Sequence, residues 1–200
     1  MFVIPLRPLV VVAVLSLAGA VTTGCTAPQR PSTDPGGAAP TTPPAVPGAP
    51  ATVTHLDDGD TIDVRIDGVT ERVRFIGIDT AETKKPNTPV QCYGPEASAF
   101  TAGLLPVGTE VRLVRDAEPR DPYGRLLAYV YRGSDGLFVN LELARLGYAA
   151  VLSIAPNTAH AGEFAAAVAA AQQQRLGLWG ACPSFGAPAS PAGGVPASGG

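Results

Sequence analysis

Arg72-Val-Arg-Phe-Ile-Gly-Ile-Asp-Thr-Ala-Glu-Thr83 is the stretch on which the reading of this chain turns. It begins with the two-residue period of a β-strand: Val73, Phe75 and Gly77 fall on one face, Arg74, Ile76 and Ile78 on the other. The strand then gives way to a loop carrying Asp79, Thr80 and Glu82. One cation and two carboxylates therefore lie within nine residues, and strand geometry aims Arg74 toward the end that holds Asp79. Two further segments complete the set of charges, Asp58-Gly-Asp-Thr61 upstream and Asp121-Pro-Tyr-Gly-Arg125 downstream.

Around these segments the pattern is that of a small barrel. Thr52–Leu56, Thr61–Ile66 and Val69–Gly77 read as three antiparallel strands, the second and third joined at Asp67-Gly68, a two-residue hairpin signal. A loop over 84–92 leads to a helix with Pro95 in its first turn and Ala97, Phe100, Thr101 and Leu104 on one face. Residues 109–116 and 125–132 alternate as two more strands. A second helix is expected over Val139–Leu146, stopped by Gly147, and a third over His160–Leu176. Five strands with a helix between the third and fourth is the order of an OB-fold barrel, an α+β, mainly β class.

The ends differ from the middle. Residues 1–25 carry one basic residue, Arg7, an apolar run from Leu9 to Val21 and the exit Thr22-Thr-Gly-Cys25, the make-up of a lipoprotein-type signal peptide with Cys25 as the lipidation site. Thr22 stands where an aliphatic residue is usual, so simple secretion and an uncleaved anchor remain alternatives. Residues 26–50 are Pro, Ala, Thr and Gly, a composition that cannot offset its own ordering entropy, and read as a disordered linker. The 51–183 domain follows, then a Gly/Pro/Ala tail over 184–200 expected to fray.

The net charge is -3, and residues 51–183 hold 12 Lys and Arg against 16 Asp and Glu. That balance counts against a protein gripping nucleic acid over a wide basic surface. It leaves room for a compact anionic site that recruits a divalent cation. No Cys/His spacing suits zinc. In an exported chain Cys92 and Cys182 are most simply a disulfide, with two free thiols as the alternative.

If the three charged segments converge, Asp60 and Asp79 supply hard oxygen ligands for Ca²⁺, and Thr80 can add its carbonyl. Arg74 and Arg125 present planar donor forks to phosphate, and Glu82 remains to orient or deprotonate a water. Each segment alone has a plainer meaning: Asp58-Gly-Asp60 as a turn, Arg74 as a surface strand residue, Tyr123-Gly124 as a turn beside a solvated arginine. Lys84 and Lys85 read as a solvated loop, His160 as a structural hydrogen-bonder, Trp179 as core or a helix-end plug and Tyr129 as packing.

Asp58–Thr61, Arg74–Thr83, Tyr93-Gly-Pro-Glu-Ala-Ser-Ala-Phe100 and Asp121-Pro-Tyr-Gly-Arg-Leu-Leu-Ala-Tyr129, in this order and spacing, resemble the staphylococcal nuclease (thermonuclease) family over about residues 51–181. The resemblance implies a five-stranded OB-fold barrel with three helices, and Ca²⁺-dependent cleavage of DNA and RNA. It implies Asp60, Asp79 and the Thr80 carbonyl as Ca²⁺ ligands, Glu82 as the water-activating carboxylate, Arg74 and Arg125 as phosphate-binding residues, and Tyr123 in the nucleotide pocket. Ala81 replaces the family's proline, and Val151–Pro156 lacks its tyrosines. The expected product is an exported monomeric nuclease that meets the membrane only through its lipid anchor, facing outward or secreted. The alternative is a non-catalytic OB-fold module binding single-stranded nucleic acid or a protein partner.

Overall fold

The computed structural model describes residues 48–189. The expected signal peptide with Cys25, nearly all of the 26–50 linker and residues 190–200 lie outside the described residues.

Five strands close into a barrel in the order β1 (Ala49–Asp58), β2 (Thr61–Ile66), β3 (Val69–Phe75), β6 (Leu126–Arg132) and β5 (Glu110–Val114). The first three form the expected meander, with Asp67 at φ 48° and Gly68 at φ 86° in the hairpin turn. Closure comes from a parallel pairing of β3 with β6, Val73 opposite Leu126, and an antiparallel pairing of β1 with β5. The alternating inward residues Val53, Ile62, Val64, Val73, Phe75, Val111, Leu113 and Val130 fill the interior. At about 25 cal/mol per Å² of apolar surface, burial of such side chains is the main term holding the barrel closed.

Three helices pack around it: α1 (Gly94–Leu104), α2 (Val139–Arg145) and α3 (Ala161–Gln173). Ala97 and Thr101 of α1 are buried, and Thr101 Oγ1 donates to Gly59 O at 2.6 Å, tying the helix to the turn before Asp60. Phe164 of α3 is fully buried; α3 ends at Gln173, a few residues short of the expected Leu176, and a separate one-turn α4 (Leu178–Ala181) follows.

The strand expected through Gly77 ends at Phe75. Ile76 breaks from β3, and Gly77 at φ 86° turns the chain into β4 (Gly77–Thr80), which pairs with β7 (Ala149–Leu152) in a separate two-stranded sheet. A Cβ at Gly77 would run into the Phe164 ring, so both the backbone angle and the space require glycine there. Asn140 of α2 stitches the break: its Nδ2 donates to Ile76 O at 2.9 Å, and its Oδ1 accepts from Val130 N–H at 2.9 Å. β7 has no period-2 signal strong enough to mark it in sequence. It forms because β4 offers it an edge.

The tail also differs from expectation. Ala187 O accepts the Cys92 N–H at 2.7 Å, Ala189 N–H donates to Val90 O at 2.8 Å, and Pro188 bridges Gln91. Cys92 and Cys182 are joined as a disulfide, which holds this segment near its partner.

Candidate active site

All seven residues singled out for chemistry, Asp60, Arg74, Asp79, Thr80, Glu82, Tyr123 and Arg125, line one cavity of about 620 Å³. They reach it from four places: the β1–β2 turn, the end of β3, the β4 strand with its following loop, and the loop before β6.

Asp60 is buried at the entry to β2. Its Oδ2 accepts the Thr80 N–H at 2.7 Å and the Thr80 hydroxyl at 3.1 Å, and its Oδ1 accepts the Thr61 hydroxyl at 3.1 Å. These bonds fix the β1–β2 turn to β4 across the barrel end. Gly59 permits the approach, since a Cβ there would press on the Thr80 side chain at 2.8 Å.

Arg74 lies between the carboxylates. Its Nη2 is 2.6 Å from Asp79 Oδ1 and 3.1 Å from Asp60 Oδ2, while Nη1 donates to Phe75 O and Ile78 O at 3.0 and 2.9 Å. The two carbonyls belong to the strand break, so the β3–β4 kink that the Asn140 bonds maintain also orients this guanidinium. Burial and the neighbouring Asp60 charge push Asp58 up to about 7. Burial pushes Asp79 upward too, opposed by Arg74 and reinforced by the charges of Asp58 and Glu82. The site is thus rich in carboxylates that share one buried cation.

Glu82 sits in the loop after β4. Its Oε1 accepts three backbone N–H groups, from Thr83 at 2.8 Å, Lys84 at 2.7 Å and Lys85 at 3.1 Å. Among the described residues no partner holds Oε2. Lys85 lines the cavity, whereas Lys84 pairs with Asp57 at 3.3 Å on the surface.

On the opposite wall, Arg125 Nε donates to Asp121 Oδ2 at 2.6 Å, and its guanidinium lies 5.6 Å from the centre of the Tyr123 ring. Tyr123 is 85 % exposed, which suits a ring that stacks on a ligand rather than packs in a core.

Sequence reasoning missed Asp58 as a crowding charge, Asp121 as the partner that orients Arg125, and the apolar side of the cavity, Leu152 and Ile154. Asp121 carried a signal, an aspartate opening a turn four residues before an arginine. Asn157 carried none: buried, it accepts the Glu118 N–H at 2.7 Å and donates to Glu118 O at 2.9 Å. The remaining assignments stand as structural facts. Tyr129 is buried and donates to Asp116 at 2.7 Å, His160 faces Glu163 at 2.8 Å, and Trp179 packs against the core.

Among the described residues, no group of three or more His, Cys, Asp or Glu side chains is gathered as a ready-made metal cage. No helix of the described residues is long and apolar enough to cross a membrane.

Residues 72–181 match the family described as staphylococcal nuclease homologue. The chain is 48 % identical to the thermonuclease of Staphylococcus intermedius over 127 residues, 64 % of this chain and 74 % of that protein. It is 43 % identical to the thermonuclease of Staphylococcus hyicus over 127 residues, 64 % of this chain and 73 % of that protein. Against the SPbeta prophage-derived endonuclease YokF of Bacillus subtilis the identity is 40 % over 129 residues, 64 % of this chain and 43 % of that protein.

Proposed function

The chain belongs to the staphylococcal nuclease homologue family, and from that premise we propose that it is a Ca²⁺-dependent nuclease hydrolysing phosphodiester bonds of DNA and RNA outside the cell. The observation that carries the reading is the convergence of Arg74, Arg125 and Glu82 on one cavity that the carboxylates Asp60 and Asp79 also line.

The donor set fits a hard cation. Asp60, Asp79 and the Thr80 carbonyl are oxygen donors, and they lie where acids crowd around a single guanidinium. Ca²⁺ held there would supply positive charge beside the scissile phosphate.

The chain's own groups divide the remaining work. Arg74 is oriented by two carbonyls and two carboxylates, so its fork is set before substrate arrives. Arg125 is held through Nε, which leaves both Nη groups for phosphate oxygens. The two cations face charge that grows on the phosphate oxygens as water adds to phosphorus and the ester P–O bond to one sugar oxygen breaks, that oxygen leaving as an alcohol that takes a proton from solvent. Glu82 Oε2 is the atom that orients this water and takes its proton, while Oε1 stays fixed by three N–H groups. Tyr123 offers its exposed face to the sugar or base. Leu152 and Ile154 offer aliphatic contact in place of tyrosine stacking, and the chain's acidic balance makes substrate capture weak.

Residues 1–25 support export, with Cys25 lipidated and residues 26–50 tethering the 51–183 domain off the membrane, or with release by secretion. Calcium outside cells reaches the millimolar range at which weak sites of about 10⁻⁴–10⁻³ M fill. We take the enzyme to act as a monomer.

The deciding experiment is cleavage of single-stranded DNA, duplex DNA and RNA by the full chain with Ca²⁺, with Mg²⁺ and with a Ca²⁺ chelator, alongside Glu82→Gln and Arg125→Ala. Ca²⁺-dependent cleavage, lowered about 10²- to 10³-fold or more by each substitution, is the expected result. A folded protein that binds Ca²⁺ and cleaves none of the three substrates sinks the proposal.

A further inference from the structure

Glu82 lies in a thirteen-residue connection, 81–93, that contains no helix and no strand beyond a single bridge at Gln91. A connection of that length does not hold a carboxylate within the tolerance of about 0.5 Å that a working site needs unless something else fixes it. One residue does so. The Gln91 side-chain Oε1 accepts the Glu82 N–H at 2.8 Å, and the Gln91 N–H donates to Glu82 O at 2.9 Å. Gln91 therefore engages both backbone polar groups of Glu82.

Gln91 is fixed in its turn from outside the cavity. It bridges Pro188, and its neighbours bond to the same segment, Cys92 N–H to Ala187 O and Ala189 N–H to Val90 O. The Cys92–Cys182 disulfide anchors that segment to the residue following Gln91. Neither Gln91, Cys92, Cys182 nor residues 187–189 line the cavity. Their contribution to chemistry can only pass through the loop they hold.

We propose that Gln91 is a positioning residue for Glu82, kept in register by the Cys92–Cys182 disulfide and the 187–189 segment. This rests on the reading of Glu82 as the water-activating carboxylate. The physical reason is that an unpaired Glu82 N–H would let the loop relax, and a shift of about 1 Å at a reacting group costs on the order of 10²-fold in rate.

The test is steady-state cleavage of a single-stranded DNA oligonucleotide by the full chain with Ca²⁺, with thermal unfolding recorded for each variant. Gln91→Met keeps the side-chain length and removes the acceptor; Gln91→Glu keeps an acceptor oxygen. Gln91→Met is expected to lower kcat roughly 10- to 100-fold with KM near the wild-type value, and Gln91→Glu to recover most of that loss. In a Glu82→Gln background Gln91→Met should cost nothing further. Should Gln91→Met not fold, reduction of the native disulfide is the second measurement, expected to lower kcat in the same direction, with an unchanged kcat overturning the proposal. A wild-type kcat for folded Gln91→Met, with Glu82→Gln disabled, overturns the positioning role alone. An equal loss in both backgrounds overturns it too, because Gln91 would then act independently of Glu82. Wild-type cleavage by Glu82→Gln removes the Glu82 reading, and this inference with it.

Discussion

Asp121 Oδ2 accepts a 2.6 Å hydrogen bond from Arg125 Nε, and Asp121 Oδ1 accepts the backbone N–H of the same arginine at 2.9 Å. The aspartate thus closes its own turn and sets the direction of the guanidinium four residues on. Asp121→Ala removes both functions without removing the cation. Its expected effect is a loss of about 10-fold in kcat/KM, smaller than that of Arg125→Ala, with little change in fold stability because the pair is partly exposed. Steady-state kinetics on the two single variants and the double variant checks this. The double variant should be no worse than Arg125→Ala.

Gly77 combines φ 86° with a position where a Cβ meets the Phe164 ring. Gly77→Ala must strain the backbone and displace a fully buried aromatic side chain. A destabilisation of about 3 kcal/mol or more is expected. Urea unfolding followed by circular dichroism measures it, and a loss below about 1 kcal/mol would show that the kink tolerates a side chain.

Removal of the disulfide should destabilise the fold even where activity is not read. Cys92 and Cys182 are 90 residues apart in sequence, so the bond closes a long loop of the unfolded chain. The Cys92→Ser, Cys182→Ser variant is expected to lose about 2–4 kcal/mol. Equilibrium unfolding of the variant, compared with the oxidised parent, gives the value.

Asp116 links the end of β5 to the approach to α3. Its burial raises its pKa, but hydrogen bonds from the Ala159 N–H and the Tyr129 hydroxyl outweigh this and hold it below the ordinary 3.8. A carboxyl depressed in the folded state adds stability that is complete above its unfolded pKa and is lost as pH falls through the folded value. Asp116→Ala should therefore cost about 1.5 kcal/mol near neutral pH, and the gap from wild type should narrow as the pH falls below the ordinary carboxylate range. Urea unfolding across that range tests the sign as well as the size.

Much of the site was legible in the chain. Alternation marked β2, β3, β5 and β6, because strands with one face inside a barrel must alternate. Asp60, Arg74, Asp79, Glu82 and Arg125 stood out as a set, because segments that each read alone as a turn or a surface residue are specific when they occur together in the family's order and spacing. The burial of Ile76 and Ile78 was not legible. In the two-residue period they share a face with Arg74, yet both are buried, since the chain kinks at Gly77 and leaves the barrel strand. The pairing of Val90–Cys92 with 187–189 was invisible for a similar reason: Ala, Pro and Gly carry no period, and backbone bonds leave no trace in side-chain type.

By itself the sequence determined which residue types are available for chemistry, where the strands and main helices run, and that the central domain is too acidic for a broad electrostatic grip on nucleic acid. Those properties are local or additive, and a local reading suffices for them. The tertiary structure alone decided that Asp58 crowds Asp60, that Arg74 is shared between Asp60 and Asp79, and that Gln91 grips Glu82. Each of these depends on how turns close and strands break. For the turn at Gly59 and the break at Ile76–Gly77, that geometry is held by Thr101, Asn140 and Phe164, residues that lie far away in the chain and touch the site only through the fold.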